Sequence, residues 1–193
     1  DERADQELDA GFSRSEGEGL LVLVSLGMNA PRFDPRVSTV LNAIIEALGA
    51  LPVTGVVAIG SDRDPDQWDG ARAANVHLES FVPQRAMLRS CDLFITHAGF
   101  NGVREAFSAG VPMVALPLFG DHPASATRLA YLGLAVELDI ASVSAEAVRT
   151  AVATVLDDPG YRARAQDMRH RMRALPPLDR MAEDLRAFVA DPG

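Results

Sequence analysis

The sequence has a single cysteine, Cys91, in 193 residues. No disulfide can form within the chain, which fits a reducing interior, and Cys91 reads as a small buried side chain rather than a reactive thiol. Positive charge is also scarce: 18 Lys and Arg against 27 Asp and Glu give a net charge of −9. A nucleic-acid binder would carry a basic surface, so the balance argues against nucleic acid and against docking on an anionic membrane. It leaves room for a small anionic ligand, because a local helix end can oppose the global field. No apolar run approaches the roughly 18 residues of a membrane span, and the opening DERADQELDA does not read as a signal peptide. A soluble, cytoplasmic protein without stable membrane insertion is the expectation. The histidines His77, His97, His122 and His170 lack metal-ligand spacing. A P-loop and a nucleophile elbow are absent too.

What is present is an ordinary globular composition, 48% hydrophobic and 23% charged, of a length that suits one domain. Residues 1–19 are rich in charge, Gly and Ser and read as a linker or disordered lead-in. The core begins at Leu20–Leu26, a continuous apolar run that suits a strand buried on both faces. Gly27-Met28-Asn29-Ala30-Pro31 breaks it. Apolar residues from Val37 to Leu48 recur at helical spacing, with Gly49 as the stop. Further strands are expected at Val53–Ile59, Val76–Leu78, Asp92–Thr96, Met113–Leu116 and Leu134–Leu138. Further helices are expected at Gln84–Arg89, Asn101–Ala109, Asp121–Leu132, from Ser144 as cap to Leu156, Tyr161–Arg173 and, after Pro176-Pro177, Leu178–Val189. Gly60–Gly70 reads as a polar loop. This alternation predicts an α/β fold: a doubly wound, Rossmann-like parallel six-stranded sheet flanked by helices, over residues 20–193. Ligands of such sheets sit at the carboxyl ends of the strands.

The loop after the fourth strand carries the strongest signal. Phe94–Glu105 runs from an apolar strand through a glycine turn into a helix. N–H groups of a first helical turn have no partner within the helix, and the helix dipole adds positive charge there, so the turn can hold a phosphate. Gly99 and Gly102 would leave a ligand room to approach. Read from the residues alone, the glycines could equally serve only the turn, with His97 in a surface niche. Glu105 suits a ribose diol, since a carboxylate accepts two hydroxyl hydrogen bonds; it also suits a helix dipole. Phe81, in Phe81-Val82-Pro83-Gln84, could stack on a base or simply fill the core before a turn. Asp121-His122 could bind sugar hydroxyls, with Asp121 capping a helix as a compatible role. Asp62-Arg63-Asp64 has the two-carboxylate spacing of some metal-dependent sugar transferases, but beside Pro65 and Asp66 it reads as a solvated loop.

Together, residues 81–122, FVPQRAMLRSCDLFITHAGFNGVREAFSAGVPMVALPLFGDH, resemble the donor-binding signature of GT-B nucleotide-sugar glycosyltransferases, most of all the macrolide-type enzymes of bacterial natural-product pathways. Val24–Gly27 and residues 157–165, DDPGYRARA, fit as well, and the resemblance extends over nearly everything from residue 20 onward. It implies that Phe81 stacks on the base, Val82 offers it backbone contacts, and Gln84 approaches the ribose. Glu105 would hold the ribose hydroxyls. His97, Gly27 and the backbone of Phe100, Asn101, Gly102 and Val103 would hold the diphosphate, and Asp121 and His122 would face the donor sugar.

The sequence departs from that pattern in places. Ala98-Gly99 stands where two glycines are usual, and Gly102-Val103 where a Ser or Thr often supplies a hydroxyl. Met28 replaces a small hydroxyl residue, and His122 stands where glutamine is common. The resemblance implies the C-terminal half of a two-domain, inverting enzyme, with residues 1–19 as interdomain linker. The acceptor pocket and catalytic base would lie in an N-terminal domain, toward which the last helix reaches. No catalytic residue, metal or cofactor is expected here. The partners implied are a UDP- or dTDP-hexose or deoxyhexose donor and, through the other domain, a natural-product aglycone; a homodimer is left open. Alone, the chain is expected to bind a nucleoside diphosphate weakly and to transfer no sugar. Two other readings stand beside this one: a cell-wall-type transferase acting on lipid-linked acceptors, and a non-catalytic nucleotide-binding partner protein.

Overall fold

The computed structural model describes residues 19–27, 34–175 and 178–190. The lead-in, apart from Gly19, the break at Met28–Pro31 and Pro176-Pro177 lie outside the described residues. In chain order the elements are β1 (Leu20–Ser25), α1 (Val37–Gly49), β2 (Val53–Ala58), β3 (Val76–Glu79), α2 (Gln84–Met87), β4 (Leu93–Thr96) and α3 (Phe100–Ala109). They continue with β5 (Met113–Ala115), α4 (His122–Tyr131), β6 (Ala135–Glu137), α5 (Ala145–Asp157), α6 (Pro159–Arg173) and α7 (Leu178–Ala190). Among the described residues, no helix is long and apolar enough to cross a membrane.

The six strands are all parallel, in the order β3-β2-β1-β4-β5-β6. The continuous apolar runs follow from burial on both faces. Along β1, Val22 and Val24 enter the layer beneath α1 and α5, while Leu23 enters the opposite layer with residues of α2, α3, α4 and α6. Along β4, Leu93 and Ile95 go one way and Phe94 the other. That is the two-residue period of a pleated strand. Helix α1 buries Val37, Val40, Leu41, Ile44, Ile45 and Leu48 along one side, as its spacing requires.

Polar side chains fix the ends. Asp92 accepts the Leu21 N–H at 2.9 Å and pairs with Arg162 at 2.8 Å, which ties β1, β4 and α6 together. Ser144 accepts the Ala147 N–H at 3.1 Å and caps α5 as expected. Helix α6 starts at Pro159, earlier than the expected Tyr161, because Asp158 accepts the Gly160 N–H at 2.8 Å and Pro159 suits the first turn. The loop expected over Gly60–Gly70 contains one 3-10 turn, Pro65–Gln67, for which Asp64 accepts the Asp66 N–H. Its capping role places Asp64 in the loop's own structure.

The amide of Asn75 donates to three carbonyls, in the last turn of α1, just beyond its end and at the start of β2: Leu48 at 2.9 Å, Leu51 at 3.2 Å and Val53 at 2.8 Å. Asn75→Ala leaves these acceptors short of a donor and should cost about 2 kcal/mol, within the range for unsatisfied part-buried polar groups. Urea unfolding that shows no change in midpoint would contradict this.

Candidate functional site

The strand order reverses between β1 and β4, since from β1 the chain winds outward through β2 and β3 and then returns to β4 on the other side. Loops leaving the carboxyl ends of these two strands diverge there and open a crevice. A cleft of about 690 Å³ occupies this position. Ser25 and Gly27 reach it from β1, His97 and Gly99 from β4, Phe100 to Gly102 and Glu105 from α3, and Asp121 and His122 from the start of α4. Phe81, Val82 and Gln84 form the far wall.

All of the residues picked out from the sequence line this cleft except Val103. The Val103 N–H is the first intrahelical donor of α3, to the Gly99 carbonyl at 3.0 Å, and its side chain packs against the apolar layer. Its backbone is therefore committed to the helix, which corrects the expectation that it holds an anion. Helix α3 begins at Phe100, with Gly99 in the capping position and no side chain capping it. The N–H groups of Phe100, Asn101 and Gly102 precede the first intrahelical bond and point out of the helix end. Beside them the helix dipole is positive, whatever the net charge of the chain.

His97 lies against this helix end in a narrow slot. A Cβ on Gly27 would lie 3.1 Å from its Cε1, and a Cβ on Gly99 would collide with its Nε2. Gly27 has φ 93°, a conformation that L side chains rarely adopt. The ring of His122 meets His97 edge-on, with centroids 4.6 Å apart and planes at 80°. His97 Nδ1 is buried and has no hydrogen-bond partner. Burial, followed by the proximity of His122, pulls the His97 pKa from 6.5 down to about 4, against weaker opposing effects of the Ser25 backbone and Asp121. His97 is therefore neutral at pH 7. His122 is 7% exposed, and burial lowers its pKa while Asp121 raises it. Its Nδ1 accepts the Phe119 N–H at 3.4 Å, so the neutral ring carries its proton on Nε2.

At the other end, Gln84 Nε2 donates to Glu105 Oε2 at 2.7 Å. This fixes the carboxylate, and among the described residues Oε1 takes no hydrogen bond. The ring of Phe81 is 59% exposed on the cleft wall, so it has not gone into the core. Phe100 is 71% exposed beside the free N–H groups. Asp121 occupies the capping position of α4 but makes no side-chain cap, leaving its carboxylate directed elsewhere. Sequence reasoning missed Arg85 and Arg89 in the cleft wall. They follow Phe81 in the same signature, and only the position of α2 over the crevice brings them to it. Among the described residues, no three His, Cys, Asp or Glu side chains converge as metal ligands.

The arrangement can hold an elongated ligand with a flat apolar ring at one end, hydroxyls near Glu105, and an anion at His97 and the start of α3. Comparison with known proteins gives the family. A family model described as UDP-glucoronosyl and UDP-glucosyl transferase matches residues 3–183. The chain is similar to the NDP-glycosyltransferase YjiC of Bacillus licheniformis, 32% identical over 176 residues, which covers 90% of this chain and 42% of that protein. Among solved structures, the glycotransferase of kitacinnamycin is 35% identical with a TM-score of 0.74, over 84% of this chain and 41% of that one. The spinosyn rhamnosyltransferase SpnG complexed with thymidine diphosphate is 25% identical with a TM-score of 0.74, over 92% of this chain and 47% of that one. The chain therefore spans less than half the length of these relatives.

Proposed function

The chain belongs to the UDP-glucuronosyl and UDP-glucosyl transferase family, and we propose that it is the C-terminal, donor-binding half of an inverting, metal-independent glycosyltransferase with a GT-B fold. The donor is a UDP- or dTDP-activated hexose or deoxyhexose, and the acceptor is a natural-product aglycone bound by the other half. The observation that carries this reading is the meeting, in one cleft, of an exposed aromatic ring, a fixed carboxylate, and a helix end beside a histidine. That order matches base, ribose and diphosphate along a nucleotide sugar. The kitacinnamycin and spinosyn relatives support the acceptor class, and the thymidine diphosphate in the second supports the donor class. Helix α7 leaves Leu185, Phe188 and Val189 exposed at helical spacing, an apolar stripe suited to packing against a further domain.

In this reading, Phe81 stacks on the base and Glu105 accepts from the ribose hydroxyls. The N–H groups of Phe100, Asn101 and Gly102, with His97 and the close approach at Gly27, hold the diphosphate. The donor sugar lies toward Asp121 and His122. An acceptor oxygen attacks the sugar C1 from the opposite face, and its proton passes to a base in the other half. The C1–O bond to the diphosphate breaks, and its electron pair goes to the leaving oxygen. Charge grows where the helix N–H groups and the imidazole already point, and each such donor is worth about 3–4 kcal/mol in a dry site.

Calorimetric titration with UDP, dTDP and ADP tests this reading. UDP or dTDP should bind more tightly than ADP, and His97→Ala should weaken binding by about 10- to 100-fold, the loss of one hydrogen bond to a charged group. Absence of binding by all three, or equal binding by His97→Ala, overturns it.

A further inference from the structure

The two rings that meet edge-on at the anion end of the cleft do not share the same surroundings. His122 has a hydrogen-bonded Nδ1; the buried Nδ1 of His97 makes no well-formed hydrogen bond, although the Ser25 backbone is close enough to act on the ring. The His97 ring is closed in on the sides of Gly27, Gly99 and His122 and is open toward the cleft. An anion arriving on the open side meets an imidazole whose protonated form it favours.

Resting on the donor-binding reading, we propose that the diphosphate is bound together with one proton from solvent, which the His97–His122 pair holds beside the anion. His122 is then a positioning residue: it limits the pair to a single positive charge.

The charges around His97 support this. From the start of α4 it faces Asp121 and His122, which among the described residues are the ionisable groups that act on it. From β1 it meets the Ser25 backbone and Gly27, and from α3 Phe100 to Gly102, none of which titrates. Glu105 lies a turn further along α3, and Arg85 and Arg89 lie in the far wall. Asp121 is thus the one nearby acid, and it does not offset the burial that holds the empty-state pKa near 4. A diphosphate diester brings two negative charges to the same place. Opposite charge within about 4–6 Å raises the proton affinity of a base by one or more pH units. A second imidazolium in the pair would repel the first, so occupancy stops at one. The proton also partly neutralises the charge that develops as the sugar leaves.

The test uses UDP-glucose and dTDP-glucose, whose diphosphates are diesters and have no group that titrates between pH 5 and 8. Titration calorimetry of the 193-residue chain is run in two phosphate-free buffers of different ionisation heat. Up to one proton should be taken up per ligand, and affinity should rise as pH falls, by at most about tenfold per unit. In His97→Gln the uptake should fall. In His122→Gln, loss of the like-charged neighbour should raise the empty-state titration of His97, so that uptake near pH 5 shrinks. In the unmodified chain, the His97 ring signal in an NMR titration should move to a higher midpoint when the ligand is bound. Binding with equal heats in both buffers, undiminished uptake in His97→Gln, or one unchanged His97 midpoint overturns the inference and leaves the donor reading intact. Failure of both nucleotide sugars to bind at every pH overturns the donor reading itself, and this inference with it.

Discussion

Gly99→Ala should weaken nucleoside diphosphate binding by about 10- to 100-fold with little loss of stability. The backbone at Gly99 has φ −69° and ψ 147°, which any L-residue adopts, so alanine brings no conformational strain. The difficulty lies in the ring next to it. The new Cβ would run into His97 Nε2, with Cδ2 at 3.0 Å and Cε1 at 3.1 Å. Retreat is blocked by Gly27, whose own added Cβ would stand 3.2 Å from Nε2, and by the ring of His122. The imidazole has to swing toward the open cleft, out of line with the start of α3. A hydrogen bond to a charged group contributes about 1.5–3 kcal/mol, and losing it gives the expected drop in affinity. Because the ring swings into open space, the cost in folding stability should lie at the lower end of the roughly 1–3 kcal/mol of an overpacked site. Gly102→Ala is the control. Its Cβ would find Thr96 Oγ1 at 3.4 Å and Phe94 and Gln84 beyond, ordinary contacts on the protein side of the helix. Calorimetry with UDP and dTDP should separate the two variants; equal affinities for Gly99→Ala and the unmodified chain would refute the slot.

That pair of glycines also marks the limit of what the sequence reveals. Both looked like openings for a ligand, and only the three-dimensional placement of the His97 ring tells them apart. The strands were readable because parallel pairing buries both faces, so that Leu20 to Leu26 and Leu93 to Thr96 stand out without any alternation. The helices were readable from their apolar spacing, with errors at ends where a cap lies outside the periodic stretch, as Asp158 does for α6. The site was readable as a set of separate loops. Their union depends on β1 lying beside β4, which brings Gly27 against His97 from 70 residues away in the chain. Pairings inside the site were not readable. Nothing in the spacing indicates that Gln84 holds Glu105, that Val103 has given its N–H to Gly99, or that His122 stands edge-on to His97. Those are side-chain and hydrogen-bond facts, fixed by packing after the sheet has formed.

Mild acid should destabilise the chain, chiefly through His97. In the unfolded chain His97 takes its proton near its ordinary pKa of 6.5, and in the folded chain only near 4. Between these values the unfolded state binds more protons, so stability falls as pH falls. Above about pH 6.5 the contribution of the neutral ring is fully present; below about pH 4 it is gone. A difference of about 2.5 units corresponds to about 3 kcal/mol over the whole window, of which about 2 kcal/mol is lost by pH 5. For a domain of this size each kcal/mol shifts Tm by roughly 2–4 °C. The unmodified chain should therefore lose about 4–8 °C more than His97→Gln between pH 7 and pH 5. Asp34, whose carboxyl is held below its ordinary 3.8 by Arg36, titrates outside this window and gives up its contribution only at lower pH. His122, also lowered by burial, acts in the same direction and is present in both chains, so the difference reports chiefly on His97. Adding UDP-glucose should flatten the profile of the unmodified chain, because an anion beside the ring lets the folded state accept the proton that the empty cleft refuses. Parallel melting curves for the two chains would contradict this account of the slot, since a ring that titrates normally in the folded state contributes no difference at any pH.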